Sequence, residues 1–280
     1  MKIVECPRDA MQGIEHFIPT QLKADYLNQL LKVGFDTLDF GSFVSSKAIP
    51  QLKDTSEVLS KLNLDSSTHL LAIIANIRGA QQACEFDEIK YLGFPLSVSE
   101  TFQQRNTNKS IEEALNHLSE IQELCVKHDK TLVTYLSMGF GNPYGDPYDE
   151  SILSEFIDKL TPLNVEIISL ADTIGVSQPD VISNIFGSLS SSYPKLEIGV
   201  HLHSTPETAN EKIEAAYSAG CKRFDGAIRG FGGCPMAEDD LVGNLATEKI
   251  IEFLRLKEEK LDINENQLKQ ALQDSISVFN

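Results

Sequence analysis

The chain has 280 residues, 41% of them hydrophobic and 23% charged, with 17 Gly and 11 Pro, an ordinary globular composition that excludes disordered, collagenous and low-complexity classes. Its 24 Lys and Arg stand against 41 Asp and Glu, a formal charge of −17. With no basic run longer than a pair, nucleic acid and anionic membrane are excluded as natural partners.

Short β-branched or apolar runs alternate with longer amphipathic stretches along the whole chain. Strands are expected near Lys2–Cys6, Thr37–Gly41, His69–Ala75, Glu88–Gly93, Thr131–Met138, Glu166–Ala171, Glu197–His203 and Arg223–Ile228. Between them, Gln21–Val33 repeats Leu22, Tyr26, Leu27, Leu30 and Leu31 at helical spacing and stops at Gly34. Ser110 followed by Glu113 is a capping-box signature for a helix reaching about Lys127. Pro179–Leu189, Pro206–Ala219 and Glu248–Lys257 read as further helices, two of them opening on a proline whose missing N–H costs nothing at that position. Parallel strands require crossover connections, and eight units of about 35 residues favour closure into a (β/α)8 barrel. No GxGxxG follows the first strand, which weighs against an open dinucleotide-binding sheet. No linker is visible, so residues 1–280 are expected to form one barrel domain, with the part after about 258 as a helical extension.

Five cysteines (Cys6, Cys84, Cys125, Cys221 and Cys234), odd in number and without a CxxC, point to free thiols in a reducing, cytoplasmic compartment. The longest apolar run, near Leu70 to Ala75, is far short of the roughly 20 residues of a membrane span. The strand-like start Met-Lys-Ile-Val-Glu-Cys-Pro is not that of a signal or transit peptide.

Chemistry in such a barrel belongs at the C-terminal ends of the strands, and the polar residues gather there. Strand one ends in Arg8-Asp9 with Gln12 beyond, strand two contains Asp39 and ends at Ser42, and strand six ends at Ser169 and Asp172-Thr173. Strand seven ends in His201-Leu202-His203, and strand eight leads to Gly230-Phe231-Gly232-Gly233-Cys234-Pro235, with Asn244 shortly after. Side chains at i and i+2 of a strand share a face, so both imidazoles project together. Two such groups can hold a divalent metal, or one can pack while the other is solvated. Arg8-Asp9 is open to two readings, an inert ion pair or a fixed cation beside a metal-binding oxygen. Cys234 is either a buried inert thiol or a reactive one on a glycine-rich loop.

Taken together, several blocks resemble signatures of 3-hydroxy-3-methylglutaryl-CoA lyase. They are Pro7-Arg8-Asp9-Ala10-Met11-Gln12, Ser42 to Gln51, Ser97 to Phe102, Ser169 to Gly175, His201-Leu202-His203, Gly230 to Pro235 and Gly243 to Glu248, in the family's order. The resemblance implies a metal-dependent TIM barrel that cleaves 3-hydroxy-3-methylglutaryl-CoA, or a close 3-hydroxyacyl-CoA, to acetyl-CoA and a keto acid (acetoacetate for the first) with Mg2+ or Mn2+, as a homodimer. It implies Asp9, His201, His203 and Asn244 as metal ligands, Arg8 as stabiliser of an enolate oxygen and Cys234 as a proton-transfer thiol. Asp39 and Asp172 fall on its further acidic positions, with Gln12, Ser42 and Ser169 on the substrate side. The chain departs from the family at Ala10, where Gly is usual, at Glu15, where Lys is usual, at Asp39, where Glu is usual, and at Ser204 to Glu207, where Asp-Thr-Tyr-Gly is usual. A condensing synthase of the same barrel group, or a non-catalytic relative binding metal or acyl-CoA, are the competing readings.

Overall fold

In the computed structural model, which describes residues 1–233 and 242–279, the strand–helix alternation is realised as a closed ring of eight parallel strands wrapped by helices. The strands are β1 (Lys2–Glu5), β2 (Thr37–Ser42), β3 (His69–Ile73), β4 (Ile89–Ser97), β5 (Thr131–Ser137), β6 (Ile167–Asp172), β7 (Glu197–Ser204) and β8 (Arg223–Gly226). Each pairs with its neighbours in chain order, and β1 closes the ring on β8 with Val4 opposite Asp225. This is a TIM barrel. All eight expected strands form. The largest shift is in β4, which runs through Pro95 to Ser97 and keeps its register with β5 to the end.

Around the ring lie α1 (Pro7–Gln12), α2 (Thr20–Leu31), α3 (Thr55–Leu59), α4 (Ile77–Ala83), α5 (Glu100–Thr107) and α6 (Ile111–Lys127). They are followed by α7 (Glu150–Leu160), α8 (Pro179–Ser192), α9 (Ala209–Ser218), α10 (Thr247–Leu256) and α11 (Glu265–Phe279). The capping box of α6 is complete: Ser110 Oγ accepts from the Glu113 amide, and the Glu113 carboxylate accepts from the Ser110 amide. Two otherwise open helix donors are thereby satisfied. Helix α9 begins later than expected. Pro206 lies in a turn closed by the Thr205 amide donating to Thr208 Oγ1, and that turn takes up the residues read as a first helical turn. Helix α11 packs on α2, with the Gln29 amide donating to Gln267 and Phe279 edge-on to Tyr26. No helix among the described residues is long and apolar enough to cross a membrane.

Strand parity sorts the side chains into two cores. Leu71, Tyr91, Val133, Tyr135 and Ile167 point into the barrel. Their neighbours Leu70, Leu92, Leu132, Leu136 and Ile168 join the larger layer between barrel and helices. Two further features shape the mouth. Arg8 and Asp9 are not strand residues: they sit in α1, a short helix opened by Pro7 immediately after β1. A ninth strand, β9 (Gly243–Asn244), runs antiparallel to β7 and puts Asn244 opposite His203.

Candidate active site

The inward parity of β7 carries His201 and His203 side by side, their ring centroids 5.3 Å apart. Helix α1 brings Asp9 over the end of β1, and ligand atoms of Asp9, His201 and His203 all lie within 4.8 Å of one another. Asn244 joins them from β9: its Nδ2 donates to Asp9 Oδ2 at 2.8 Å and to the Phe231 carbonyl at 2.9 Å. Both acceptors are oxygens that cannot donate, so the amide orientation is fixed and Oδ1 is the uncommitted atom. Both nitrogens of the buried His203 ring lack a hydrogen-bond partner among the described residues; the Thr173 backbone faces the ring, but not at hydrogen-bonding geometry. Buried polar atoms are seldom left this way. The converging set of one carboxylate, two imidazoles and one amide oxygen fits a hard or borderline divalent cation.

The protonation states agree. Burial, reinforced by the neighbouring His201, pushes His203 down to about 4, which keeps it a neutral ligand at physiological pH. Burial alone would raise Asp9, but the Arg8 guanidinium and the two imidazoles outweigh it and hold the carboxyl below its usual range. His201 is held above its ordinary value: burial works against this, and the hydrogen bond and charge of Asp225 prevail. A second grouping of Cys6, His201 and Asp225 lies beneath the first. It is a poor metal site, because burial raises the Cys6 thiol well above its ordinary value, and the thiolate is the ligating form.

Arg8 is gripped on three sides. Its Nε and Nη2 donate to Asp39, and its Nη1 donates to Asp9 Oδ1 at 2.9 Å and to Gln12 Oε1 at 3.0 Å. Gln12 Nε2 in turn donates to Asp9 Oδ1 at 2.7 Å. A guanidinium has five N–H groups, so four are spent and one Nη2 hydrogen remains. The shorter acid Asp39 therefore still forms the two-pronged clamp that orients Arg8. Burial pushes Asp39 up to about 6 even against that cation. Gly232 covers this arrangement closely: a Cβ there would lie 2.7 Å from Asn244 Nδ2 and 2.9 Å from the Ala10 Cα, and its φ is +101°. Only glycine fits at that point.

Asp172 is not brought to the cluster. It ends β6 with the outward parity of Ile168 and Leu170, and its carboxylate is taken by Lys212 Nζ at 2.8 Å, the Ser177 hydroxyl and amide, and the Val176 amide. Lys212 also donates to the His203 carbonyl at 2.8 Å, so the pair braces β7 from behind. Ser169 has inward parity, and its buried hydroxyl has no partner among the described residues. Ser42 donates to the Ile73 carbonyl and accepts from the Val44 amide, at the edge of a cleft that also contains Phe43, Lys53, Asn76 and Arg78. Glu15 is exposed. Cys234 lies outside the described residues. The sequence reading missed Lys212 and Asp225. Asp225 stands at an inward position of an expected strand, which was the available signal, whereas nothing marks Lys212 among the surface-like residues of an amphipathic helix.

A family model described as HMGL-like matches residues 2–274. The hydroxymethylglutaryl-CoA lyase YngG of Bacillus subtilis is 33% identical over 260 residues, covering 93% of this chain and 85% of that protein. The cytoplasmic 3-hydroxy-3-methylglutaryl-CoA lyase of Rattus norvegicus is 31% identical over 255 residues, covering 91% of this chain and 74% of that protein. Among solved structures, an HMG-CoA lyase from Acinetobacter baumannii in complex with coenzyme A and 3-methylmalate superposes with a TM-score of 0.92 at 29% identity, covering 100% of this chain and 91% of that one.

Proposed function

The chain belongs to the HMGL-like family, and on that premise we propose that it is a carbon–carbon lyase that cleaves 3-hydroxy-3-methylglutaryl-CoA to acetyl-CoA and acetoacetate. The observation that carries the reading is the convergence of Asp9, His201 and His203 at the mouth of the barrel, with Asn244 locked beside them. These four residues would hold the divalent metal, Mg2+ or Mn2+ by the chemistry of the donor set. When bound, it lowers the pKa of the substrate hydroxyl and fixes the substrate's orientation.

The reaction breaks the bond between C2 and the hydroxyl-bearing C3. The hydroxyl gives its proton to solvent water, its oxygen becomes the ketone oxygen of acetoacetate as the C2–C3 bond breaks, and that bonding pair passes into the thioester enolate. That charge needs a donor placed before it forms. Arg8 supplies one: Asp39 and Gln12 fix its plane, and the remaining Nη2 hydrogen is left to point at the enolate oxygen. A preorganised donor of this type contributes roughly 3 kcal/mol to transition-state stabilisation. A proton then returns to C2 to give acetyl-CoA, and Cys234, next in sequence after Gly232 and Gly233, is its proposed source. Ser169 offers an unpartnered hydroxyl to the substrate. The cleft beside Ser42, with Lys53 and Arg78 on its lining, suits an extended anionic carrier in a protein otherwise strongly acidic. Asp172 bears on this site through Lys212, which holds the His203 carbonyl, and through its charge on His203. The reading includes a homodimer.

The test is incubation of the purified protein with Mn2+ and a panel of 3-hydroxyacyl-CoAs, following thioester products by mass spectrometry. Acetyl-CoA and acetoacetate from 3-hydroxy-3-methylglutaryl-CoA are expected. Release of free CoA from acetyl-CoA and a 2-oxo acid would instead identify a condensing synthase.

A further inference from the structure

We propose that Asp225 is a positioning residue for the metal site, fixing the ring plane and tautomer of His201 so that Nε2 is the atom presented to the cation. The inference rests on the reading of Asp9, His201 and His203 as ligands, and adds the group that makes one of them competent. His201 on β7 and Asp225 on β8 are register partners, both with inward parity. Asp225 Oδ2 lies 3.2 Å from His201 Nδ1, and the aspartate is 1% exposed. Tyr135 closes the other side, edge-on to the imidazole at 5.7 Å between centroids. Both contacts that fix the ring come from inward-facing residues of the barrel strands.

The chemistry of the contact is one-directional. A carboxylate only accepts, so the contact requires hydrogen on Nδ1 and leaves the Nε2 lone pair free. Free imidazole side chains in water favour the opposite tautomer, and a carboxylate behind a ligating histidine is the usual means of reversing that preference while raising ligand basicity. His203 makes the contrast. Among the described residues neither of its ring nitrogens has a hydrogen-bond partner at good geometry, and no carboxylate stands behind the ring as Asp225 does behind His201. The two imidazoles, alike in sequence, are therefore unlike as ligands: His201 is pre-oriented and His203 takes its orientation from what it binds. Asp225 also lies near enough to the buried Arg223, two residues before it, for its charge to act there, but its hydrogen bond goes to His201 and not to Arg223.

The deciding measurement uses metal-free protein labelled with 15N-histidine, in which two-bond nitrogen–proton correlations report the tautomer of each ring. The His201 signal is assigned by its loss in His201→Gln. Hydrogen on Nδ1 of His201 in the wild type is expected, with Asp225→Asn shifting the population toward Nε2–H and weakening Mn2+ binding about 10- to 100-fold by calorimetry. Hydrogen on Nε2 with none on Nδ1 in the wild type, read at a pH where the ring is neutral, overturns the proposal, and that result does not depend on Asp225→Asn folding. An Asp225→Asn protein that loses thermal stability but keeps both the tautomer and the Mn2+ affinity also overturns it, because a purely structural role moves only the melting point. Failure of the underlying metal reading looks different: wild-type protein with hydrogen on Nδ1 and no affinity for Mn2+.

Discussion

Glu5 offers a prediction in which the sign of a pH effect can be worked from the structure. It ends β1 with outward parity and is 1% exposed. One carboxyl oxygen accepts from the Ile228 amide at 2.9 Å, and the other meets the Thr247 hydroxyl. Burial raises its pKa from 4.5 to about 8; the bonds from Thr247 and Ile228 work against the shift, and the Glu248 charge adds to it. Between those two values the folded protein holds a proton that the unfolded chain has released. Stability therefore falls as pH rises through that window, by about 1.4 kcal/mol per pH unit, and by roughly 5 kcal/mol in all as an upper bound. Glu5→Gln keeps both partners, since the amide oxygen accepts from Ile228 and the amide N–H donates to Thr247, and it removes the titration. Urea unfolding of the two proteins at pH 5 to 9 checks this, because every other titrating group cancels in the difference. The variant is expected to gain on the wild type with rising pH and to level off above about pH 8. A difference that stays constant with pH, or one that moves toward the wild type, refutes the buried proton. The result bears on the site, for Glu5 ties Ile228 and Thr247, on either side of the segment that carries Gly232 and Asn244.

Three further outcomes are expected. His203→Ala removes one of the proposed metal ligands, so Mn2+ affinity by calorimetric titration should drop at least tenfold, and an unchanged affinity would strike His203 from the ligand set. Cys234→Ser should lower turnover far more than Mn2+ affinity, and equal losses in both would contradict a role in proton transfer. Lys212→Met leaves the Asp172 carboxylate buried without its cation and should cost about 3–5 kcal/mol of stability by urea unfolding; a loss below 1 kcal/mol would mean that Ser177 and Val176 alone satisfy that carboxylate.

The barrel was legible because its signals are local and repeated. Eight runs with β propensity, a capping box at Ser110 and Glu113 and the opening proline of α8 each act within a few residues of themselves. The same holds for the His201–His203 pair, where spacing alone fixes a shared face. What stayed hidden depends on parity or on distant partners. Asp172 was read as facing the site, but its strand is buried on both faces and has a polar residue on each, so sequence gives no means of telling inward Ser169 from outward Asp172. The proline that opens α1 was visible, yet a strand and a six-residue helix are not separable in so short a stretch. Strand β9 has two residues and no pattern at all. Lys212 is the extreme case: its charge argues for a solvated face, and partners elsewhere in the chain, Asp172 40 residues earlier and the Gly175 and His203 carbonyls, draw it inside.

The departures from the family pattern gain their meaning from this arrangement. A glutamate at position 39 would reach one methylene farther, and its absence raises the question whether Arg8 is still held for catalysis. The structure answers through geometry. Asp39 and Arg8 meet directly, Nε and Nη2 against one carboxylate, and Asp9 and Gln12 take the remaining nitrogen. Arg8 is thereby shared between two acids and cannot cancel the charge of both. Asp225, pointing into the same interior, adds a third acid that His201, held above its ordinary value, answers, while burial keeps His203 from offering a further compensating charge at physiological pH. Beside Asp9 the protein has thus assembled surplus negative charge, two inward imidazoles and an amide oxygen with both of its N–H groups spent elsewhere. In a buried setting such an excess is costly unless a cation is matched to it, and two nitrogens with two oxygens are the donors a divalent ion takes while leaving positions for a bidentate substrate. The substitutions at Ala10, Glu15 and Asp39 spare every one of those donors. They act on what surrounds the metal and not on whether the chain can hold it, so differences from other lyases are expected in substrate preference, read as KM across acyl-CoAs, before they are expected in metal dependence.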